Sequence, residues 1–329
     1  MSLRVCLSAC CAAMLCLSVS MPVSAQVVPG TGQRLAGYGD NFEDANWKFV
    51  HNFPKSSKEQ DEQIRHPRGY STNKLWFESA KRGQPDNIVI VPTPPGGLPG
   101  STRAMQISSV NTGIPGRVSF DQQQDDLLMN GRRLPVSYNP SCVARVYIPP
   151  FDEWEDRSGV SFGIRADVHT TVWSDEEKER RGKRRGLFDR LSRHKVQEPY
   201  WPGMFIALFR SEDNGTGADF AQILVRGDEY GREVGGPKIT EPGWWTFGMS
   251  CTSDGRIHFY ASPGVDDLTQ ADLITSQFPY SYKAESFTTM FFNVVNKYDG
   301  KTESTKWIID DPALYYANGK MAGGGGVRR

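Results

Sequence analysis

Few residues of this chain stand at spacings that would do chemistry by themselves. Five histidines, His51, His66, His169, His194 and His258, are scattered. None pairs at i, i+4 and no His-Glu-x-x-His run exists, so the ligand pattern of a zinc hydrolase is missing. No Gly-rich phosphate loop and no Gly-x-Ser-x-Gly elbow occurs either. The densest carboxylate run, Asp152-Glu-Trp-Glu-Asp156, follows Pro149-Pro150, where a loop is expected. Asn214-Gly-Thr216 is a formal glycosylation acceptor and marks an exposed turn.

The remaining reactive groups are thiols, and their reading depends on the first 25 residues. Arg4 is the only charge there, an apolar run covers Val5 to Met21, and Val23-Ser-Ala25 follows Pro22. A basic start, a hydrophobic core and a small-residue cleavage site together read as a secretory signal peptide over 1–25. The expected address is secreted, periplasmic or extracellular. Four of the six cysteines lie in that leader, leaving Cys142 and Cys251. In an oxidising compartment such a lone pair is expected to form a disulfide. Closing a loop of about 100 residues would contribute roughly 4–5 kcal/mol in the chain-entropy model. Two separately buried thiols are the alternative. A structural zinc site, needing four ligands, is not expected from these two alone.

Beyond the leader, 37 basic residues face 38 acidic ones. That balance gives no global field for nucleic acid or an anionic membrane, and no further apolar run has the roughly 20 residues that span a bilayer.

The elements that must position any site read as strands. Residues 26–37, rich in Gly, Pro and Gln, read as a linker, with an ordered domain over 38–318 and a Gly-rich flexible tail over 319–329. Strands are expected at Asn87–Val91, Ala104–Val110, Arg117–Phe120, Cys142–Ile148, Met204–Phe209, Phe220–Arg226, Met290–Val295 and Trp307–Tyr316. Val160, Phe162, Ile164 and Ala166 alternate with Ser161, Gly163 and Arg165, the period-two pattern of a half-buried strand. Trp244–Ser250 and Arg256–Ser262 flank Asp254-Gly255, a hairpin turn signal. The adjacent Trp244 and Trp245 must then point to opposite faces, and His258 is expected to face solvent or a groove. Asp121–Met129 reads as a short helix or loop. Residues 174–198, opening with Asp175-Glu-Glu-Lys-Glu-Arg-Arg-Gly-Lys-Arg-Arg185, read as a charged insertion loop able to contact an acidic partner.

The order of several short motifs resembles a family. Asp40-Asn-Phe-Glu-Asp-Ala-Asn-Trp47, Arg103-Ala-Met-Gln-Ile107, Gly243-Trp-Trp-Thr-Phe247, Asp254-Gly-Arg-Ile-His-Phe-Tyr260 and Trp307-Ile-Ile-Asp-Asp-Pro-Ala-Leu-Tyr315 follow one another as they do in the concanavalin A-like lectin/glucanase superfamily. The resemblance covers about Tyr38 to Ala317. It implies an all-β fold, a two-sheet antiparallel β-sandwich of the jelly-roll type, with one hollowed face that in many members binds or cleaves polysaccharide. The Glu-x-Asp-x-x-Glu strand of the glucanase branch is missing, and Gln222-Ile223-Leu224 has lost the histidine of the alginate-lyase Gln-Ile-His motif.

That resemblance frames the site expectations. Sugar grooves combine aromatic faces with polar groups for the hydroxyls. The binding candidates are Trp154, Trp173, Tyr200 and Trp201 near loop mouths, with Arg226, Asp228 and Glu229 at a strand end. Glu43 and Asp310, from the first and last strands, are candidate ligands of a structural Ca2+, with no other cofactor expected. The expected function is an exported, non-catalytic binder of a carbohydrate or cell-surface polymer. A divergent lyase or glycoside hydrolase and a structural envelope module are the alternatives, separated by which side chains line the hollowed face.

Overall fold

The computed structural model describes residues 27–114, 124–174, 194–297 and 299–317. The first strands are β1 (Gln33–Gly39), β2 (Phe49–Val50), β3 (Tyr70–Ser71), β4 (Trp76–Glu78), β5 (Asn87–Pro92) and β6 (Arg103–Ser108). Next come β7 (Gln124–Met129), β8 (Leu134–Pro135), β9 (Pro140–Ile148), β10 (Gly159–Trp173), β11 (Lys195–Tyr200) and β12 (Gly203–Phe209). The chain continues through β13 (Phe220–Arg226), β14 (Glu233–Ile239), β15 (Gly243–Cys251), β16 (Ile257–Pro263), β17 (Leu273–Gln277), β18 (Ser286–Val295) and β19 (Trp307–Tyr316). Among the described residues helix is confined to short turns such as Lys58–Asp61, and no helix is long and apolar enough to cross a membrane.

All pairings are antiparallel and form two sheets. One runs β17-β16-β15-β9-β19-β6-β5, with β1 also on β19. The larger runs β14-β13-β12-β10-β18-β7-β4-β3-β2, with β11 on β10 and β8 on β18. Their facing sides share one apolar core. Val146, Ile148, Phe247, Met249, Trp307 and Ile309 enter it from the smaller sheet, and Phe162, Ile164, Met204, Ile206, Ile223 and Phe292 from the larger. The ring of Phe162 bridges the layers, stacking on Phe292 at 5.8 Å and on Trp307 at 4.8 Å. This is the expected antiparallel β-sandwich. The period-two alternation of β10 delivers it, because Phe162, Ile164 and Ala166 bury inward while Gly163 and Arg165 are left for the other face.

The hairpin turn at Asp254-Gly255 connects β15 to β16 in register, with Gly255 at φ 83°. Trp244 and Trp245 do point apart: Trp245 joins the core, and Trp244 packs edge-on against Tyr147 and donates to the Pro94 carbonyl.

Several expectations are corrected. The stretch read as a linker over 26–37 already contains β1, whose Gln33 and Arg34 pair with Tyr316 and Tyr315. Val27 accepts a hydrogen bond from Ser250, and Pro29 lies against Gly248. The edge of β19 and the outer face of β15 supply partners that composition does not reveal. Asp121–Met129 is not helical where described: β7 is a strand flanked by β18 and β4, which its backbone hydrogen bonds require. The charged insertion is shorter than 174–198, since Lys195–Glu198 already pair with β10; residues 175–193, Arg117–Phe120, the leader and 319–329 lie outside the described residues. His258 faces neither solvent nor a groove. It is buried between Thr252 and Ser276, each within 2.9 Å of a ring nitrogen, and burial pulls its pKa down.

The expected disulfide is also absent. Cys142 and Cys251 are both free and buried. Register places Cys142 opposite Met249, so Cys251 lies two residues along the neighbouring strand. Such diagonal positions stand about 7–8 Å apart, beyond the roughly 4.4–6.8 Å that a disulfide spans between Cα atoms. Burial pushes the Cys142 thiol up to about 12 and raises Cys251 as well, so neither is a ready nucleophile.

Candidate functional site

On its outer face the larger sheet carries two adjacent cross-strand rows. One runs Leu128, Phe291, Arg165, Gly203, Arg226, Glu233, and the next runs Asp126, Asn293, Gly163, Phe205, Leu224, Gly235. The two glycines in β10 and β12 permit this arrangement by close approach. A Cβ on Gly203 would stand 2.6 Å from the Arg165 Cγ, and one on Gly163 would meet Asn293 and Phe205 within 2.9 Å. Arg165 can therefore lie flat on the sheet. Its guanidinium sits 5.5 Å from the Phe291 ring and 5.7 Å from Phe205, and Arg226 covers the other part of Phe205 at 4.5 Å.

Above this row opens a cavity of about 220 Å³, lined by Arg165 with Arg68, Lys81, Arg82, Asp126, Asp167 and Trp201 among others. Its rim is the turn after β4, closed by a Ser79–Gly83 bridge and tied to the Lys58–Asp61 helical turn through Lys58 and Glu59 backbone hydrogen bonds. Arg82 pairs with Glu59, and that carboxylate raises the Arg82 pKa against the cost of burial. Lys81 stands 4.6 Å over the Trp201 ring. Burial and the neighbouring Arg82 hold its ammonium below the ordinary lysine range. The indole of Trp201 donates to Asp167 at 3.2 Å, which fixes its plane, while Arg165 donates twice to the Trp201 carbonyl, at 2.6 and 3.1 Å.

Asp126 is buried, accepts from Asn293 at 2.6 Å and Gln124 at 2.8 Å, and has its pKa raised by desolvation. Burial likewise moves Arg165 down to about 10, which leaves it charged at neutral pH. Tyr280 is close enough to act electrostatically on both Arg165 and Arg82. It is presented by two consecutive non-glycine residues at φ 59°, Tyr280 and Ser281, with its amide bonded to the Asp228 carbonyl. Backbone of this kind costs energy and persists only where surroundings enforce it. Gly231 provides the room, since a Cβ there would fall 2.1 Å from the Tyr280 ring.

Of the residues singled out from sequence, Trp201 lines this cavity and Arg226 lies on the same face, paired with Glu233. Asp228 and Glu229 border a separate hollow of about 480 Å³ with Arg232, Phe278 and Lys283. Asp228 there spends its carboxylate on Tyr230 and Arg232. Trp173 stands at the far end of β10, 36% exposed, beneath Lys195. Trp154 and Tyr200 are buried, so neither ring is open for stacking. Trp154 packs on Trp307 and donates to the Pro149 carbonyl. Tyr200 packs on Tyr280 and Tyr282, its hydroxyl pKa raised by burial. The alternation of β10 pointed Arg165 outward. Lys81, Arg82 and Arg68 sit in turns whose sequence gave no signal, and Asp126 hid in a stretch read as helix or loop.

Glu43 and Asp310 do meet at one cleft, with Asn41, Ser101 and Asp311. The carboxylate of Glu43 accepts from the Thr102 and Arg103 amides and the Thr102 hydroxyl, which lowers its pKa. One oxygen of Asp310, Oδ2, is buried without a hydrogen-bond partner and could serve a hard cation. Among the described residues no group of three or more His, Cys, Asp or Glu side chains is gathered for a metal, so main-chain oxygens would have to complete such a shell.

No family model and no curated protein matches the chain. Among solved structures it is similar to a carbohydrate esterase from the Shiga toxin-encoding bacteriophage phi24B. That likeness has TM-score 0.42 and 9% identity over 80% of this chain and 97% of the other. An alginate lyase from Pseudomonas aeruginosa matches with TM-score 0.34 and 10% identity over 65% and 82%. The GH131 β-glucanase catalytic domain from Podospora anserina matches with TM-score 0.35 and 10% identity over 75% and 80%. Likeness at this level leaves the functional reading to the chain's own residues.

Proposed function

We propose that this is an exported sandwich of the concanavalin A-like kind that binds a polysaccharide on the outer face of its larger sheet without cleaving it. The observation that carries this reading is Trp201. Its ring is held by Asp167 at the wall of a cavity that also presents planar guanidinium donors. A flat apolar surface beside fixed hydrogen-bonding groups is what a pyranose ring with equatorial hydroxyls requires. A cavity of about 220 Å³ suits one ring of a chain that continues along the sheet. Export rests on the leader-like first 25 residues.

A hydrolase is disfavoured by strand geometry. Asp126 and Asp167 are the carboxylates of the cavity. Asp126 lies two strands from Gly163, and Asp167 lies four residues beyond Gly163 along β10. At strand spacings of about 4.8 Å and rises of about 3.3 Å their Cα atoms stand roughly 16 Å apart, a wide setting for the 5–9.5 Å that separates the carboxyl groups of an acid and its partner. A lyase is the second reading, favoured by the gathering of Arg82, Arg165 and Lys81 near Tyr280. A structural Ca2+ at Asp310 and Glu43 belongs to the same proposal, and a melting temperature that rises with Ca2+ and falls back with chelator is its expected sign.

The test is retention on an array of neutral and anionic glycans, with Trp201→Ala beside the wild type. Binding that the variant loses supports the reading, and no retention of any glycan sinks it. Appearance of an ultraviolet-absorbing unsaturated sugar on incubation with a polyuronate would move the assignment to the lyase.

A further inference from the structure

Three cations are buried among the described residues: Lys55, Arg145 and Arg165. Lys55 is paired with Asp86 at 2.8 Å and Asp125 at 2.6 Å. Arg145 is paired with Asp267 at 2.9 Å and Asp311 at 3.2 Å. Arg165, 5% exposed, has no carboxylate within ion-pair distance among the described residues, and it is the one that borders the cavity. Its Nε and Nη2 donate to the Trp201 carbonyl; among the described residues no hydrogen bond engages Nη1. An isolated buried charge is costly, and folds normally pair it. Asp126, the carboxylate with the strongest electrostatic pull on Arg165, shares one oxygen between Asn293 and Gln124.

The surroundings do not cancel that charge. Arg68, Lys81 and Arg82 line the same cavity against Asp126 and Asp167, and with Glu59, drawn to Arg82 and Lys81, these cations and carboxylates balance three against three, which leaves the Arg165 charge in surplus. From these observations we infer that the missing counter-ion arrives with the ligand: the cavity binds an acidic group carried on a polysaccharide, a carboxylate or a sulfate ester, and Arg165 is the residue that selects it. The inference rests on the glycan-binding reading above and narrows it to acidic polymers. A guanidinium suits the task because its planar donors match a carboxylate and hold their charge at any physiological pH. The Phe205 and Phe291 rings keep that guanidinium in one plane and limit water beside it.

Isothermal titration of the full chain at low salt tests this. The ligands are polygalacturonate, alginate and hyaluronan oligosaccharides, each beside its carboxyl-reduced neutral form, together with dextran sulfate beside dextran. At least one acidic polymer is expected to bind tenfold or more tightly than its neutral counterpart. Arg165→Gln should erase that preference, Arg165→Lys should keep part of it, and Trp201→Ala should weaken acidic and neutral forms alike. Circular dichroism establishes that each variant is folded, and if Arg165→Gln is not, the Arg165→Lys titration decides. Preference for dextran sulfate alone keeps the inference and assigns the sulfate ester. Equal binding of acidic and neutral forms, or an Arg165 variant that retains full preference, overturns it while glycan binding stands. Binding of none of these polymers, nor of any neutral glycan on the array, sinks the glycan reading itself.

Discussion

Two buried cations show opposite solutions to one electrostatic problem. Lys55 is fully enclosed and bonded to Asp125, Asp86 and the carbonyls of Gln84 and Asn111. Two carboxylates face one ammonium, so that knot carries surplus negative charge, and burial pushes Asp125 up to about 7. Arg165 is almost as buried, yet among the described residues its positive charge meets a carbonyl, two phenyl rings and an open cavity, with no ion pair. The knot has its counter-charges inside the fold, and it ties the segment before β3 to the loops around β5 and β7. Across the larger sheet the counter-charge is left out, which is the arrangement expected of a site whose partner comes and goes.

The largest effect should come from breaking the knot. Lys55→Met leaves the buried Asp125 and the half-buried Asp86 without their cation and should cost about 3–5 kcal/mol in equilibrium denaturant unfolding. A loss under about 1 kcal/mol would mean the knot is dispensable and the contrast with Arg165 empty. Next in size is its pH dependence. Asp125 has a folded pKa of about 7 against an ordinary 3.8, so between those values the folded state holds a proton that the unfolded state has released. Raising pH through that window therefore removes stability, which is fully present only below about 4. The difference between wild type and Asp125→Asn isolates this group, and it should shift steadily against the wild type from pH 4 to 7.

A third prediction separates the two regions by their ligands. A glycan held at a hundred times its Kd should stabilise the wild type by about 2.7 kcal/mol. Lys55→Met should keep that gain, if folded, and Arg165→Gln should lose it for an acidic glycan. Equal gains in both variants would erase the distinction. The smallest expected change is at Trp201, where alanine should weaken binding about tenfold, near 1.4 kcal/mol, with stability almost unaffected because the ring is only half-buried.

How much of this was legible in the sequence follows from the range of the forces involved. Strand periodicity in β10 depends on neighbours along the chain, so Phe162 and Arg165 could be assigned to opposite faces beforehand. The lone pair Cys142 and Cys251 in an exported chain suggested a bridge that register forbids, because a slip of two residues between β9 and β15 carries no mark in composition. Trp154 and Tyr200 looked open near loop mouths, yet Trp307 from β19 and Tyr280 and Tyr282 from the turn before β18 cover them.

Taken alone, the chain determined a succession of short β-strands, the Asp254-Gly255 turn and an outward Arg165, since steric alternation and turn preferences act locally. Only the tertiary structure decided that Arg165 lies between Phe205 and Phe291 with no carboxylate at ion-pair distance among the described residues, and that Lys81, Arg82 and Trp201 close around it. Those neighbours come from strands and turns up to 126 residues away, and charge pairing in space is set by sheet register, which no local pattern encodes.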